Sequence, residues 1–388
     1  MRHQGANGRD NWSRPIKAGV KTSPADSRAN NRSMTLSELY HRGPLSRADL
    51  ARATGLTHVS VSQVVAELIA AGLVVERGQA ETRGVGKPAT LLAVNDSGRA
   101  FAAIDLSGAD TVAGAVFDLR GNITERMSMR LGGAVDTAAA ELVCEFAAAL
   151  VEAARAPMEG LAVAAPGIVT ADGVVRAGAY FGWKNLPLAD KLAARTGVPC
   201  LVENDARIAA LAESARGVDG GLMLVLVAKG LGAGLVLEGD LLRGPSGAAG
   251  DIGHVTAVED GPRCRCGRRG CLETVLSAAV LEGLSRLPPG PGRRAAVEST
   301  AHATAAVLAA AIATLDLRRL VFFNRDNLLA PDLLDAIRQS MTARLLPFTT
   351  HNLVIRASTA GPDTMLQGAY AHALSERLGI TPWASPRP

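Results

Sequence analysis

No apolar run in these 388 residues is long enough to cross a membrane without interruption; even the stretch from Leu222 to Leu237 contains Lys229 and several glycines. No apolar core of a secretory signal follows Met1. Cysteines number only five, and three of them are spaced as metal ligands are, which suits a reducing cytoplasm better than a disulfide framework. The other two, Cys144 and Cys200, sit in apolar surroundings and read as packing residues. The expectation is a cytoplasmic protein with no membrane partner. Charged residues make up 20% and hydrophobic ones 48%, a globular balance in a chain long enough for two or three domains with proper cores.

The charge is unevenly placed. Residues 1–32 carry a net +5, residues 33–95 a net +1 and the remainder −2. A basic front end on a faintly acidic body points to a nucleic-acid contact near the N-terminus. Residues 1–32 are rich in Asn, Arg, Ser and Gly without a hydrophobic period, so a disordered basic tail is expected there. Residues 34–95 read as a winged helix-turn-helix. Helix Thr35 to Arg42 is broken by Gly43-Pro44; Ser46 caps a second helix, Gly55 turns the chain, and Thr57 caps a third helix running to about Ala71. Val61, Val64, Val65 and Leu68 fall on its inner face. The outer face then offers His58, Val59, Ser60, Ser62 and Gln63 to DNA; Gln63 suits adenine and Val59 a thymine methyl. Strands near Leu73–Glu76 and Thr90–Val94 flank a Gly-rich wing ending in Gly86-Lys87-Pro88. A protein-contact module is the competing reading, since the third helix carries no Arg or Lys.

Further along, His254 is followed by Cys264, Cys266 and Cys271. One imidazole and three thiolates make the closed ligand set that zinc accepts. Gly267 and Gly270 give the tight backbone that lets Cys266 and Cys271 face one ion. Three reduced thiols in a loop would be the alternative, but a glycine-spaced Cys-x-Cys-x4-Cys is not a core pattern. A structural zinc site is expected.

From Ala100 onward β-like and helical runs alternate, giving an α/β body. Gly250-Asp251-Ile252-Gly253-His254, followed by Cys264-x-Cys266-Gly267-x-x-Gly270-Cys271-Leu272-Glu273, resembles the signature of the ROK family of repressors, open reading frames and sugar kinases. The resemblance implies zinc on His254, Cys264, Cys266 and Cys271, and sugar-hydroxyl contacts at Asp251, His254 and Glu273. Relatives usually carry Glu at position 251, so this chain's carboxylate is one methylene shorter. In Glu203-Asn204-Asp205-Ala206, Asp205 matches the family's kinase base and Asn204 its sugar-binding neighbour; an Asn-Asp helix cap is the plainer alternative. The implied body is a two-lobed, actin-like, sugar-kinase-like ATPase fold over residues 100–379, with a zinc knuckle at 254–271. The headpiece resembles that of ROK repressors, in which Gly-Arg-Pro closes the wing.

The nucleotide side departs from the kinase pattern. Where kinases read Asp-x-Gly-Gly-Thr-Lys, this chain has Asp105-Leu106-Ser107-Gly108-Ala109-Asp110, with an acid facing phosphate. The second loop, Ala228-Lys229-Gly230-Leu231-Gly232-Ala233-Gly234, loses a threonine and a glycine, and Leu320 to Asp326 contains no glycine. The reading is therefore a DNA-binding regulator of repressor type, not an enzyme. Its expected partners are operator DNA and a sugar or sugar-phosphate effector, its expected cofactor is zinc, and the resemblance implies a homodimer or homotetramer. A sugar kinase carrying a DNA-binding head is the rival.

Overall fold

The computed structural model describes residues 24–79, 88–108, 110–178, 180–215 and 220–382. The headpiece comprises α1 (Pro24–Arg42), β1 (Leu45–Ser46), α2 (Arg47–Thr54), α3 (His58–Ala70), β2 (Val74–Gln79) and β3 (Thr90–Val94). Local chemistry fixes its helix ends. The Asp49 N–H donates to the Ser46 hydroxyl while the Asp49 carboxylate accepts from the Ser46 N–H, a reciprocal cap that starts α2. Thr57 starts α3 by accepting from the Ser60 N–H at 3.1 Å. Val61, Val64, Val65 and Leu68 are buried in one cluster with Leu36, Leu39 and Leu50, each burial stabilising by roughly 1.5–3 kcal/mol. The strands pair in the order β1-β3-β2, all antiparallel; the two-residue β1 has no sequence signal.

Part of the expected tail is ordered. Residues 24–32 are helical, and α1 begins eleven residues before the expected Thr35. Their polar composition hides this because the helix is held from outside. Arg28 and Arg32 reach Glu67 of α3 at 2.9 and 3.5 Å, and the same helix then buries Leu36 and Leu39. Residues 1–23 and the wing at 80–87, Lys87 included, lie outside the described residues.

The first lobe runs β4 (Ala100–Asp105), β5 (Thr111–Asp118), β6 (Ile123–Arg130), α4 (Asp136–Glu152), β7 (Met158–Ala165), β8 (Ile168–Val169), β9 (Val175–Gly178), β10 (Trp183–Leu186), α5 (Leu188–Thr196), β11 (Cys200–Asn204) and α6 (Asp205–Ser214). Its main sheet has the order β11-β7-β4-β5-β6. The second lobe runs β12 (Leu222–Val227), β13 (Leu231–Leu237), β14 (Asp240–Leu241), α7 (Ala278–Arg286), α8 (Pro291–Leu315), β15 (Arg319–Phe323), α9 (Pro331–Thr342), α10 (Pro347–Thr350), β16 (Val354–Ala357) and α11 (Thr364–Leu378). Its sheet, β14-β13-β12-β15-β16, repeats the plan of the first. In both, three antiparallel strands are followed by two parallel ones. This is the α/β, two-lobed body expected behind a winged helix-turn-helix.

Helix α8 is long and apolar enough to cross a membrane by composition, yet Ala301, Ala305, Leu308 and Ile312 pack in the second-lobe core. Helices α6 and α11 pack on each other; α6 also rests on β12 and β13, and α11 on β4 and β7. The pair therefore joins the lobes. Near the headpiece, Tyr370 of α11 stacks on Phe117 at 4.8 Å and donates its hydroxyl to the Leu119 carbonyl at 3.0 Å. The adjacent Arg120 donates to the Tyr40 carbonyl of α1 at 2.6 Å and to Asp96 at 2.9 Å. Buried apolar packing and these bonds tie α1 to the body.

Candidate functional site

The site is built where β11 turns into α6. Asn204 caps α6, its Oδ1 accepting from the Arg207 N–H at 3.1 Å and its Nδ2 donating to the Gly167 carbonyl at 2.9 Å. The helix-cap alternative thus holds for Asn204, and its side chain is committed to backbone on two sides. Asp205 is 9% exposed and accepts from the Ala206 N–H at 2.8 Å. Beneath them Glu203 pairs with Arg207 at 2.7 Å and with Arg243 at 2.6 Å, while Arg207 also donates to the Val169 and Gly247 carbonyls. Each charge in this buried cluster has a partner, which fixes the strand end rigidly.

Burial pushes the Asp205 carboxyl up to about 7; the Ala206 N–H opposes this and the nearby Asp105 charge adds to it. The folded-state pKa lies above the ordinary 3.8, so the folded chain holds a proton that the unfolded chain releases. Stability from this group is fully present below pH 3.8 and is lost as pH climbs toward 7. Asp205→Asn keeps the shape without the charge. It is expected to raise stability at pH 8 by on the order of 2–4 kcal/mol and to leave it unchanged near pH 3.5, below both values. Denaturant melts at the two pH values check this.

Asn204, Asp205, Asp251, His254 and Glu273 all line one cavity of about 260 Å³ between the lobes. The cavity also takes in Lys229, the second loop's candidate phosphate contact, and Tyr180 and Arg265, which the sequence did not single out as ligand contacts. Lys229 donates to the Tyr180 hydroxyl at 3.0 Å and lies over its ring at 4.4 Å. Glu273 accepts from the Leu231 N–H at 3.1 Å and pairs with Arg265 at 3.2 Å. One of the five residues is therefore already engaged at both oxygens.

On the far side of His254 lies the cysteine knuckle. Ligand atoms of His254, Cys264, Cys266 and Cys271 all lie within 4.8 Å of one another. His254 Nδ1 faces Cys264 Sγ at 3.7 Å, and Cys266 Sγ faces Cys271 Sγ at 3.6 Å. Gly270 (φ +68°) makes the turn possible, since a Cβ there would meet the Val258 carbonyl at 1.6 Å. Hydrogen bonds from Arg268 hold the Cys266 thiol low, whereas burial pushes Cys271 up.

Both loops named for phosphate are ordered in other ways. Asp110 does not line the cavity; it accepts from the Gly133 N–H at 2.9 Å and pairs with Arg130 at 3.2 Å, turning toward β6. Ser107 and Gly108 do line it, and Arg325 of the second lobe pairs with Asp105 beside them. In the second loop Gly234 serves packing: a Cβ there would lie 2.4 Å from the Ala206 carbonyl.

Residues 101–376 match the profile of the ROK family. The chain belongs to the ROK family. Residues 27–83 of this ROK chain match the MarR family. A xylose repressor of Bacillus subtilis is 28% identical over 257 residues, covering 65% of this chain and 66% of that one. The xylose repressor of Caldicellulosiruptor bescii is 25% identical across 91% of this chain and 98% of its own length. A glucokinase of Halalkalibacterium halodurans is 41% identical over 138 residues, 34% of this chain and 41% of the enzyme. The match thus spans 41% of the glucokinase and 66% of the Bacillus repressor, but 98% of the Caldicellulosiruptor repressor. Among solved structures, a ROK family transcriptional regulator homologous to Escherichia coli Mlc superposes with TM-score 0.77 at 25% identity, covering 90% of this chain and 98% of that one.

The headpiece of the ROK chain presents His58, Val59, Ser62 and Gln63 exposed on α3, with Val59 at 68%. Ser60 differs, because its hydroxyl lies 2.9 Å from that of Thr57 in the helix cap.

Proposed function

We propose that this ROK protein is a sugar-responsive, DNA-binding transcriptional regulator of repressor type, acting in the cytoplasm as a homodimer or homotetramer. The observation that carries the reading is the convergence of Asn204, Asp205, Asp251, His254 and Glu273 on one cavity, in a chain whose headpiece exposes the α3 face. The ligand is a small sugar or its phosphate ester. A cavity of about 260 Å³ is below the roughly 300–1,000 Å³ typical of drug-sized ligands, a fit for a monosaccharide. Lys229 and Arg265 at its wall suit an effector bearing an anionic group.

Zinc fits the knuckle. Thiolates about 2.3 Å from a tetrahedral ion stand roughly 3.7–3.8 Å apart, close to the 3.6 Å between the Cys266 and Cys271 sulfurs. The ion would lock Cys271, and with it the turn carrying Glu273, to the His254 ring that borders the cavity. A route for the response is laid out in packing: Asp205 opens α6, α6 rests on α11, and Tyr370 and Arg120 lead from α11 to α1. Sugar bound across both lobes would stabilise their closed arrangement and shift the population of headpiece positions on DNA.

For the head, Gln63→Ala is expected to weaken the selected operator by roughly 1–3 kcal/mol and relax one base position; binding measured on an operator and its single-base variants checks this. Lys87 is the wing's proposed phosphate contact. Phosphoryl transfer is not part of the proposed function. A coupled assay for ADP release across pentoses, hexoses and amino sugars tests that: no turnover is expected, and about 1 s⁻¹, ordinary for a kinase, would establish the rival reading.

A further inference from the structure

The turn after β15 bears on the cleft in a way that neither the sugar residues nor the metal cluster explains. Asn324 is 4% exposed; it donates to the Val227 carbonyl at 2.8 Å and accepts from the Leu328 N–H at 2.9 Å. The turn is thereby tied to the end of β12 and closed on itself. Arg325 crosses from it to the first lobe, where it pairs with Asp105 Oδ2 and donates to Ser107 Oγ at 3.0 Å. Asp105 is 2% exposed, and its other oxygen accepts from the Ser107 N–H at 2.8 Å and the Ser107 hydroxyl at 2.6 Å. One cation from the second lobe thus completes a buried polar cluster in the first.

We propose that Arg325 is a positioning residue for the cavity: its bonds to Asp105 and Ser107 latch the two lobes together and hold the cavity near its ligand-binding width when it is empty. What the cavity holds rests on the sugar-sensor reading; the latch does not. Removing Arg325 leaves the buried Asp105 charge unpaired, a state strongly disfavoured in a dry site. Opening the cleft to water relieves it. The closed fraction then falls, and apparent ligand affinity falls by the same factor. The Lys229–Tyr180 contact spans the lobes elsewhere on the rim, but Lys229 is exposed, so solvent weakens it as a substitute.

The test is hydrogen exchange on the full chain without ligand, in wild type, Arg325→Ala, Asp105→Asn, the double variant and Arg325→Lys. Arg325 is 40% exposed at its side chain, so its truncation leaves the hydrophobic cores intact. Both single variants are expected to speed exchange about tenfold at 105–108 and 324–328, with the double variant no faster than the faster single and Arg325→Lys partly restored. Exchange in α3 and in α8 should stay unchanged. Additive effects in the double variant, or unaltered exchange in Arg325→Ala, would overturn the latch. Calorimetry with D-xylose, D-glucose and N-acetylglucosamine runs alongside, and Arg325→Ala should weaken whichever one binds by about tenfold. If wild type binds none of them, the sugar reading fails on this panel while the exchange cycle still decides the latch.

Discussion

Asp205→Ala is expected to abolish the sugar response of operator binding while leaving ligand-free operator affinity within about twofold of wild type. The carboxyl lines the cavity, is largely buried and, once ionised, accepts hydrogen bonds from sugar hydroxyls. Hydrogen bonds to a charged group contribute about 1.5–3 kcal/mol each, so losing two costs on the order of 100-fold or more in sugar affinity. The headpiece is remote from this group, because Asp205 stands at the start of α6 in the body. Parallel titrations of sugar and of operator DNA separate the two effects. Loss of both together would mean that the substitution had unfolded the body. Asp205→Asn then serves as the control, since Asn can still accept from the Ala206 N–H.

The second large effect concerns the knuckle. Freshly purified protein should carry one zinc per chain, and Cys271→Ala should lose it together with sugar binding. Structural zinc contributes roughly 10–16 kcal/mol of apparent binding energy in small finger peptides, so this loop has no comparable source of order of its own. Cys271 is fully buried and directly precedes the 3₁₀ turn Leu272–Thr274 that carries Glu273. Without the ion, the loop is left with backbone bonds such as Cys264 N–H to the Arg268 carbonyl at 2.8 Å and Gly270 N–H to the Pro262 carbonyl at 2.8 Å, each contributing only about 0.5–1.5 kcal/mol net. Elemental analysis, proteolysis within 254–271 and sugar calorimetry check the three consequences. Well under one zinc per chain in fresh wild-type protein would remove the metal from the account.

What the sequence made legible was local. The Ser46 and Thr57 caps, the Gly55 turn and the inner face of α3 are each decided within a few residues, and all are found as expected. The four sulfur and nitrogen donors also lie within eighteen positions of one another, so their spacing carries the geometry. What stayed hidden depends on distant partners. The first turns of α1 are polar and ordered through Glu67. Asp110 looked like the barrier to phosphate, but it turns toward Arg130, and the group that meets Asp105 is Arg325, 220 residues away. That segment was notable in the sequence only for having no glycine. Asn204 reads in the sequence both as a sugar contact by resemblance and as a helix cap; the cap is found, and the Gly167 carbonyl that takes its Nδ2, 37 residues away, becomes visible only in three dimensions.

The most direct measurement is fluorescence anisotropy of the full chain on its selected operator duplex, titrated with a panel of pentoses, hexoses, amino sugars and their phosphate esters. One member is expected to change operator affinity by about tenfold or more, within the usual range of coupling energies, and Asp205→Ala should erase that change. An operator complex indifferent to every sugar on the panel, from protein that binds DNA normally, would contradict the sensor reading.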